Sequence, residues 1–463
     1  MSETCAYVFD PDEWNQGHQA DSSVEEVWEC PHETYVDHDY CIFHTEPEDR
    51  DSLGITEVDL RDELLRTVNE APVEEHRFIG AAFGEVNLRE QRIGAAEEPT
   101  RLDLRHATVD GILNLTEATV HGDFLGGCTT YQTVEAPNAT FDGSATFRES
   151  DFENEVNFDS AAFQDDADFR RCAFDLKVEF SAADFQGDGD FRYSKFTDDA
   201  LFQNTVFHEK GLFNSVRFAE ANFTGADFLG RSSFANCTFT ENVKFQYVSF
   251  ANRSDFSDTK FTSNANFRGS SFQAAANFNG ASFNGWATFR DTSFEADADF
   301  RNTWCKNKVT FVSESDNNAE LDFTGSRLKK SEFKLSIYHP VFYDMSKCKV
   351  GNVVLDTDEE DQNVFNYVLF RQTTFNGFDF ARYRDDLEEN DWEIHKSIVH
   401  EDEPDLKVLQ DTYHLAAEGA EGTGANDIAS KFRKKKEKYR REREKEEGNT
   451  VGVISSYIKG LFG

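Results

Sequence analysis

The chain has 463 residues, with 88 Asp and Glu against 47 Lys and Arg and a formal net charge of −41. That length suffices for a large core or several domains, and the acidic balance disfavours direct nucleic acid binding by the bulk of the molecule. No stretch approaches the roughly 20 apolar residues that cross a bilayer, and the acidic N-terminus does not read as a signal peptide, so a cytoplasmic location is expected.

Residues 1–50 differ in composition from the rest and hold three of the eight cysteines. Cys5, Cys30, Cys41 and His44 offer thiolates and an imidazole, the ligand set of a tetrahedral zinc site. The Cys41-Ile42-Phe43-His44 pair is the most specific part, and His32, in Cys30-Pro31-His32, is a substitute ligand. A small knuckle without a core of its own gains folding free energy from a metal. Four protein ligands close the shell, so the zinc would be structural. The competing reading is reduced cysteines packed beside Trp14 and Trp28, and the spacing favours zinc. A disulfide framework is not expected in a reducing cytosol. Residues 51–100 read as a linker and helical cap. A helix is expected over 56–69, with Leu60, Leu64, Leu65 and Val68 on one face. It would cover the open strand edges of whatever follows.

From Phe141 to Phe300 phenylalanine recurs every five or six residues, and a small residue stands two positions before each: Ala139, Ala145, Ser150, Val156 and on to Ala298. Neither the helical period nor the period of an ordinary strand produces this beat. It is an internal repeat of short period, which means a solenoid. Four units per coil would stack Phe147, Phe169, Phe191 and Phe213. Phe234 continues that stack after a 21-residue step, because one corner residue between Phe218 and Phe223 is missing. No proline occurs between Pro137 and Pro340, as expected where the backbone must donate hydrogen bonds from coil to coil. An aliphatic version begins at Leu102, which sets the repeat domain at 101–330. Cys172 and Cys237 fall in small slots and Cys305 in a central one, so they read as packing residues.

These small-x-Phe units resemble the pentapeptide-repeat family, in its eleven-residue, Phe-centred variety. The resemblance implies a mainly β fold: a right-handed quadrilateral β-helix, one unit per side, with the central residue and the one two before it pointing inward. The acidic coat resembles that of haloarchaeal cytosolic proteins, where it keeps the chain hydrated in concentrated salt.

Beyond the beat, residues 331–400 read as a C-terminal cap of the solenoid, closed by Phe375, Phe378, Phe380, Tyr383 and Trp392. Residues 401–463 read as a helical tail with helices over 404–418 and 427–447 and a glycine-rich turn over 419–424. The second helix carries the one basic island of the molecule, ten Lys and Arg between Lys431 and Lys445. It is either a solvated or self-docked helix or a contact for an anionic membrane or a partner. The apolar residues after Val451 would lie in a membrane interface rather than span it.

No Gly-x-Ser-x-Gly, Walker loop or His-Glu-x-x-His occurs, and an interior filled by rings leaves no pocket. No catalytic residue is expected, and the chain does not read as an enzyme. The leading reading is a non-catalytic scaffold or protein-interaction module on a rigid acidic β-helical rod, with an unnamed protein partner and room for an oligomer. Two alternatives stand beside it. One is a DNA-mimic binder of a type II topoisomerase, which the family resemblance implies. The other is a peripheral membrane protein attached through its basic tail.

Overall fold

The computed structural model describes residues 4–17, 22–35, 38–94, 100–315, 317–335, 340–357, 362–400 and 402–447. They form two compact units, residues 1–244 with 248–251, and residues 245–247 with 252–463.

The first unit opens with a knuckle in which strands Val8–Phe9 and Trp28–Glu29 pair antiparallel and helices α1 (Pro11–Gly17) and α2 (Pro47–Leu53) flank the loops. Helix α3 (Glu57–Glu70) starts at a reciprocal cap: Asp59 N–H donates to the Thr56 hydroxyl, and Thr56 N–H donates to the Asp59 carboxylate. Its buried face, Leu60, Leu64 and Val68, lies on the first-coil strands Val86–Asn87 and Arg92–Ile93.

After an isolated parallel bridge between Arg77 and Asp103, parallel strand pairing starts with Ala82–Phe83 on Thr108–Asn114, ahead of the expected start at 101. The signal was weak because Phe83, Val86, Leu88 and Ile93 fill the interior without a phenylalanine beat. Asp151–Phe152 pairs with Ala173–Phe174, that strand with Lys195–Phe196 and that with Arg217–Phe218, each 22 residues later, so that Phe152, Phe174, Phe196 and Phe218 stand in register. The next steps, Phe218 to Phe239 and Ala200 to Ala221, are 21 residues. The deletion therefore sits on the corner just after Phe218, where loss of a solvent-facing residue leaves the ladder intact.

The interior explains the beat. Phe147, Phe169, Phe191, Phe213 and Phe234 stack at centroid separations of 4.9, 5.0, 4.9 and 4.8 Å with planes within 5° of parallel. That separation is the spacing of neighbouring strands, which the backbone imposes on the rings. Adjacent ladders meet edge to face, as Phe180 does Phe191 at 5.3 Å and 83°, the other favoured aromatic geometry. At Gly189 the small slot has no room even for a methyl group, since a Cβ there would lie 2.8 Å from the Phe207 ring. Several polar residues in the slot are satisfied by the preceding coil, although the buried hydroxyls of Ser232, Ser254 and Ser331 find no partner among the described residues. Ser194 Oγ donates to Phe169 O (2.6 Å), Thr205 Oγ1 to Phe180 O (2.7 Å) and Cys172 Sγ to Phe147 O (3.0 Å), in each case the carbonyl 25 residues back. At Cys172, Ser194 and Thr205 the hydrogen bond offsets the cost of burying the polar group.

In the second unit Phe245, Phe267, Phe289, Phe311 and Phe333 stack at 4.9, 4.7, 4.7 and 5.0 Å. Coils continue through the stretch expected to be a cap: strand Arg327–Leu335 pairs with Lys349–Thr357, and that strand with Thr374–Phe375. Leu335, Val350, Val353 and Leu355 are buried there, so the inward pattern persists while the phenylalanine beat vanishes.

Phe378, Phe380, Tyr383 and Trp392 are buried beyond the last coil, followed by helices α4 (Arg384–Glu389), α5 (Leu406–Gly422) and α6 (Asn426–Glu446). Helix α5 runs through Gly419, where a turn was expected. A Cβ there would lie 2.4 Å from Phe375 Cβ, so that glycine serves close approach of helix and coil, and the turn is confined to residues 423–425. Ile428, Phe432 and Tyr439 of α6 are buried, with Tyr439 stacked on Tyr413 at 5.6 Å. Part of the basic island is neutralised within this unit: Lys435 lies 2.9 Å from Asp391 and 3.2 Å from Glu393, Arg433 pairs with Glu421, and Lys431 stands over the Trp392 ring. The apolar segment after Val451 lies outside the described residues. No described helix is long and apolar enough to cross a membrane.

Candidate metal centre

Three local structures bring Cys5, Cys30, Cys41 and His44 together. Cys5 precedes one antiparallel strand and Cys30 follows the other, tied by Cys5 N–H to His32 O (2.9 Å) and Cys30 N–H to Tyr7 O (3.0 Å). Cys41 to His44 makes a single tight turn, in which His44 N–H and Thr45 N–H both donate to Cys41 O (3.1 and 3.0 Å). That turn aims Cys41 Sγ and His44 Nδ1 the same way, 3.2 Å apart.

The four ligand atoms all lie within 4.8 Å of one another, and all four residues are buried. Cys30 Sγ and Cys41 Sγ are 3.8 Å apart, and Cys5 Sγ and His44 Nδ1 3.7 Å. A tetrahedral zinc with ordinary bond lengths needs about 3.8 Å between sulfurs and about 3.6 Å between sulfur and nitrogen. The donor set and its dimensions fit such an ion. All eight cysteines are free thiols.

The surroundings orient the ligands. His44 Nε2 faces Ile79 O at 3.0 Å. A carbonyl only accepts, so Nε2 carries the proton and Nδ1 turns its lone pair to the sulfurs. The Tyr7 ring stacks on the imidazole at 3.9 Å and 7°. Cys41 N–H donates to Cys5 Sγ at 3.2 Å. Hydrogen bonds from the Cys30 and Cys41 thiols hold the Cys5 thiol well below its ordinary pKa, while the bond to Cys41 raises Cys30. His32 Nδ1 lies 3.4 Å from Cys30 Sγ and its Nε2 bonds Glu75 O at 2.8 Å. His32 is outside the group of four mutually close ligand atoms, so it braces Cys30 rather than replacing a ligand.

The same contacts fasten the knuckle to the coils. Glu75 and Ile79 belong to the segment entering the first coil, Ala82 N–H donates to Phe43 O (3.2 Å), and Arg50 Nη2 donates to Phe43 O and Ala82 O (3.2 and 2.5 Å). Sequence reasoning missed an ion cluster here. Asp103 is fully buried, with Arg105 at 2.6 Å and Arg77 at 3.5 Å. Arg105 also donates to Ser23 O (2.5 Å), and Arg77 lies over the Trp28 ring. The signal was available as an Asp-x-Arg pattern, seen again at Asp168 with Arg170 and Asp190 with Arg192.

The family model for pentapeptide repeats (9 copies) matches residues 136–176, 223–271 and 256–304. The chain carries pentapeptide repeats. No curated protein matches the chain.

The pentapeptide coils account for four further cysteines. Cys172, Cys237 and Cys348 each donate to a phenylalanine carbonyl of the preceding coil, at 3.0, 2.7 and 2.8 Å. Burial pushes Cys305 up to about 12 and Cys172 well above the ordinary thiol value. These thiols are packing groups, chemically unlike the quartet in the knuckle.

Proposed function

We propose that this protein is a non-catalytic interaction scaffold, a pentapeptide-repeat solenoid whose N-terminal knuckle is locked onto the first coil by one structural zinc ion. The observation that carries the reading is the filled interior. The phenylalanine ladders and their small partners are buried and in mutual contact, so function falls to the outward side chains. Zinc held by Cys5, Cys30, Cys41 and His44 would supply no chemistry beyond cross-linking, because four protein ligands leave no open position. Its effect is mechanical: it joins the strands, the Cys41–His44 turn and, through Ile79 O, the first coil. Immobilised full-length protein should retain a specific partner from native lysate at moderate salt. Repeated retention of nothing, against a scrambled-surface control, would sink the scaffold reading.

The topoisomerase alternative draws on the acidic surface and is tested by adding excess protein to gyrase supercoiling. Unchanged activity removes it. Membrane attachment is weakened by α6, which turns Ile428, Phe432 and Tyr439 into its own packing, so any lipid contact would rest on charge and on the tail. Flotation with anionic vesicles, with and without residues 427–463, decides that point.

A further inference from the structure

The helix over 426–446 is not the one basic island. In the second unit, parallel register sets Trp304 beside Arg327 and Arg327 beside Lys349, and Lys308 beside Lys330. Lys306 and Lys329 lie between these rows, and all six cations are exposed. They escape notice in the sequence because neighbours on adjacent coils are about 22 residues apart. Among the described residues, Glu332 pairs with Lys308 at 2.5 Å. Like charges directly opposite one another on neighbouring strands destabilise a sheet, so a row of them is maintained against the stability of the coils themselves.

Two tryptophans accompany the cations. Trp286 is 66% exposed and Trp304 42% exposed. Lys306 Nζ stands 4.1 Å from the Trp304 ring centroid. An open cleft of about 620 Å³ beside Trp286 is also lined by Asn264, Asn307, Lys308 and Lys330. Exposed tryptophan beside arginine, as Trp304 stands beside Arg327, is a pairing enriched in binding hot spots.

The first unit offers the complement. On the corner that follows its register-paired strands Asp151–Phe152, Ala173–Phe174, Lys195–Phe196, Arg217–Phe218 and Thr238–Phe239, the chain carries Glu153, Asp175, Asp198, Glu220 and Glu241, with Leu176 41% exposed among them. Lys195 and Arg217 flank that corner on the strands, and Lys177 within it is held by Glu179 at 2.9 Å. One carboxylate thus stands on each of five successive coils, directly after the phenylalanine at Glu153 and Asp175 and one residue later at Asp198, Glu220 and Glu241. Glu220 is paired with Lys244 at 3.3 Å, and the cation rows of the second unit are two coils deep.

We propose that the basic, tryptophan-bearing face of the second unit docks on this acidic corner of the first unit in a second copy of the chain. Charge complementarity is the main reason, and the common coil pitch supports it. Both faces are built on parallel strands spaced about 4.8 Å apart, so the paired cations Lys308 and Lys330 have the same coil-to-coil spacing as Glu153 and Asp175. A flexible polyanion would have to fit its own charge spacing to each coil. Leu176 gives a tryptophan an apolar seat within the acidic row. The inference rests on the scaffold reading and names its partner.

The test is the solution mass of the full chain at about 0.15 M salt, where screening beyond roughly 8 Å leaves contact charges effective. Sedimentation equilibrium up to about 100 µM should show self-association. The pair Lys308→Glu with Lys330→Glu should weaken it at least about a hundredfold, and so should the pair Glu153→Lys with Asp175→Lys. An equimolar mixture of the two variants should associate again, because each altered patch then finds its opposite charge, and that recovery also shows both variants folded. A monomeric wild type, or a mixture that stays monomeric while both variants melt as the wild type does, overturns self-docking. If the wild type is monomeric but its basic face captures an oligonucleotide or an outside acidic protein, self-docking is wrong and the scaffold survives. If it captures nothing, both fall.

Discussion

Phe191 offers the most direct test of the physical account. Its ring is stacked on Phe169 and Phe213 at 5.0 and 4.9 Å and meets Phe180, Phe202 and Phe185 edge-on at 5.3, 5.4 and 5.9 Å. Truncation of a buried phenylalanine to alanine costs about 3–5 kcal/mol, and each favourable aromatic pair adds about 0.5–1.5 kcal/mol beyond burial. Five such pairs place Phe191→Ala at the upper end, about 5 kcal/mol. Phe191→Leu keeps most of the volume and should cost about 1.5 kcal/mol. Tyr193→Ala, two residues on but 59% exposed, should stay within about 0.5 kcal/mol. Because coils contact chiefly their neighbours, the damage should be local. Hydrogen exchange should therefore accelerate on the order of a thousandfold for amides in the coils holding Phe169, Phe191 and Phe213, with knuckle amides unchanged. If Phe191→Ala and Tyr193→Ala exchange alike, or if leucine loses as much as alanine, ring stacking is not what holds the coils.

Other outcomes follow from particular contacts. Gly419→Ala should destabilise by about 1–3 kcal/mol, because its Cβ would meet Phe375 Cβ at 2.4 Å. Gly422→Ala in the same helix has open space and should stabilise by about 0.5–1 kcal/mol, and equal effects in thermal melts would contradict the close-approach argument. Elemental analysis of purified protein should find one zinc per chain, lost in Cys30→Ser, and cobalt substitution should give the visible bands of a tetrahedral thiolate site. Metal-free protein with an intact knuckle would favour packed cysteines instead. His395 is fully buried, with Nδ1 2.7 Å from the Tyr413 hydroxyl and Nε2 3.4 Å from Glu403. Burial lowers its pKa from 6.5 against the pull of Glu393 and Glu403. Below about 6.5 the unfolded chain then binds a proton that the folded chain refuses, so stability should fall as pH drops through that window. His395→Gln should flatten the slope in denaturant titrations between pH 7 and pH 5, and an unchanged slope would remove His395 from the account.

Much of this architecture was legible in the linear chain. The small-x-Phe code is local, since each unit specifies its own inward pair, so the sequence alone determined the coil length, the members of the Phe147 stack, the corner where a residue is missing, and the quartet Cys5, Cys30, Cys41 and His44 as ligands worth testing. Tertiary structure decided what depends on residues distant in the chain. Val350 and Leu355 carry the coils past the end of the beat because burial selects volume and apolarity, not one residue type. Gly419 lies inside a helix because the helix packs so closely on Phe375 that a Cβ would not fit, and His44 points Nδ1 inward because of Ile79 O. The basic face exists only once Trp304, Arg327 and Lys349 share a register, because a coil turns residues far apart in sequence into neighbours about 4.8 Å apart.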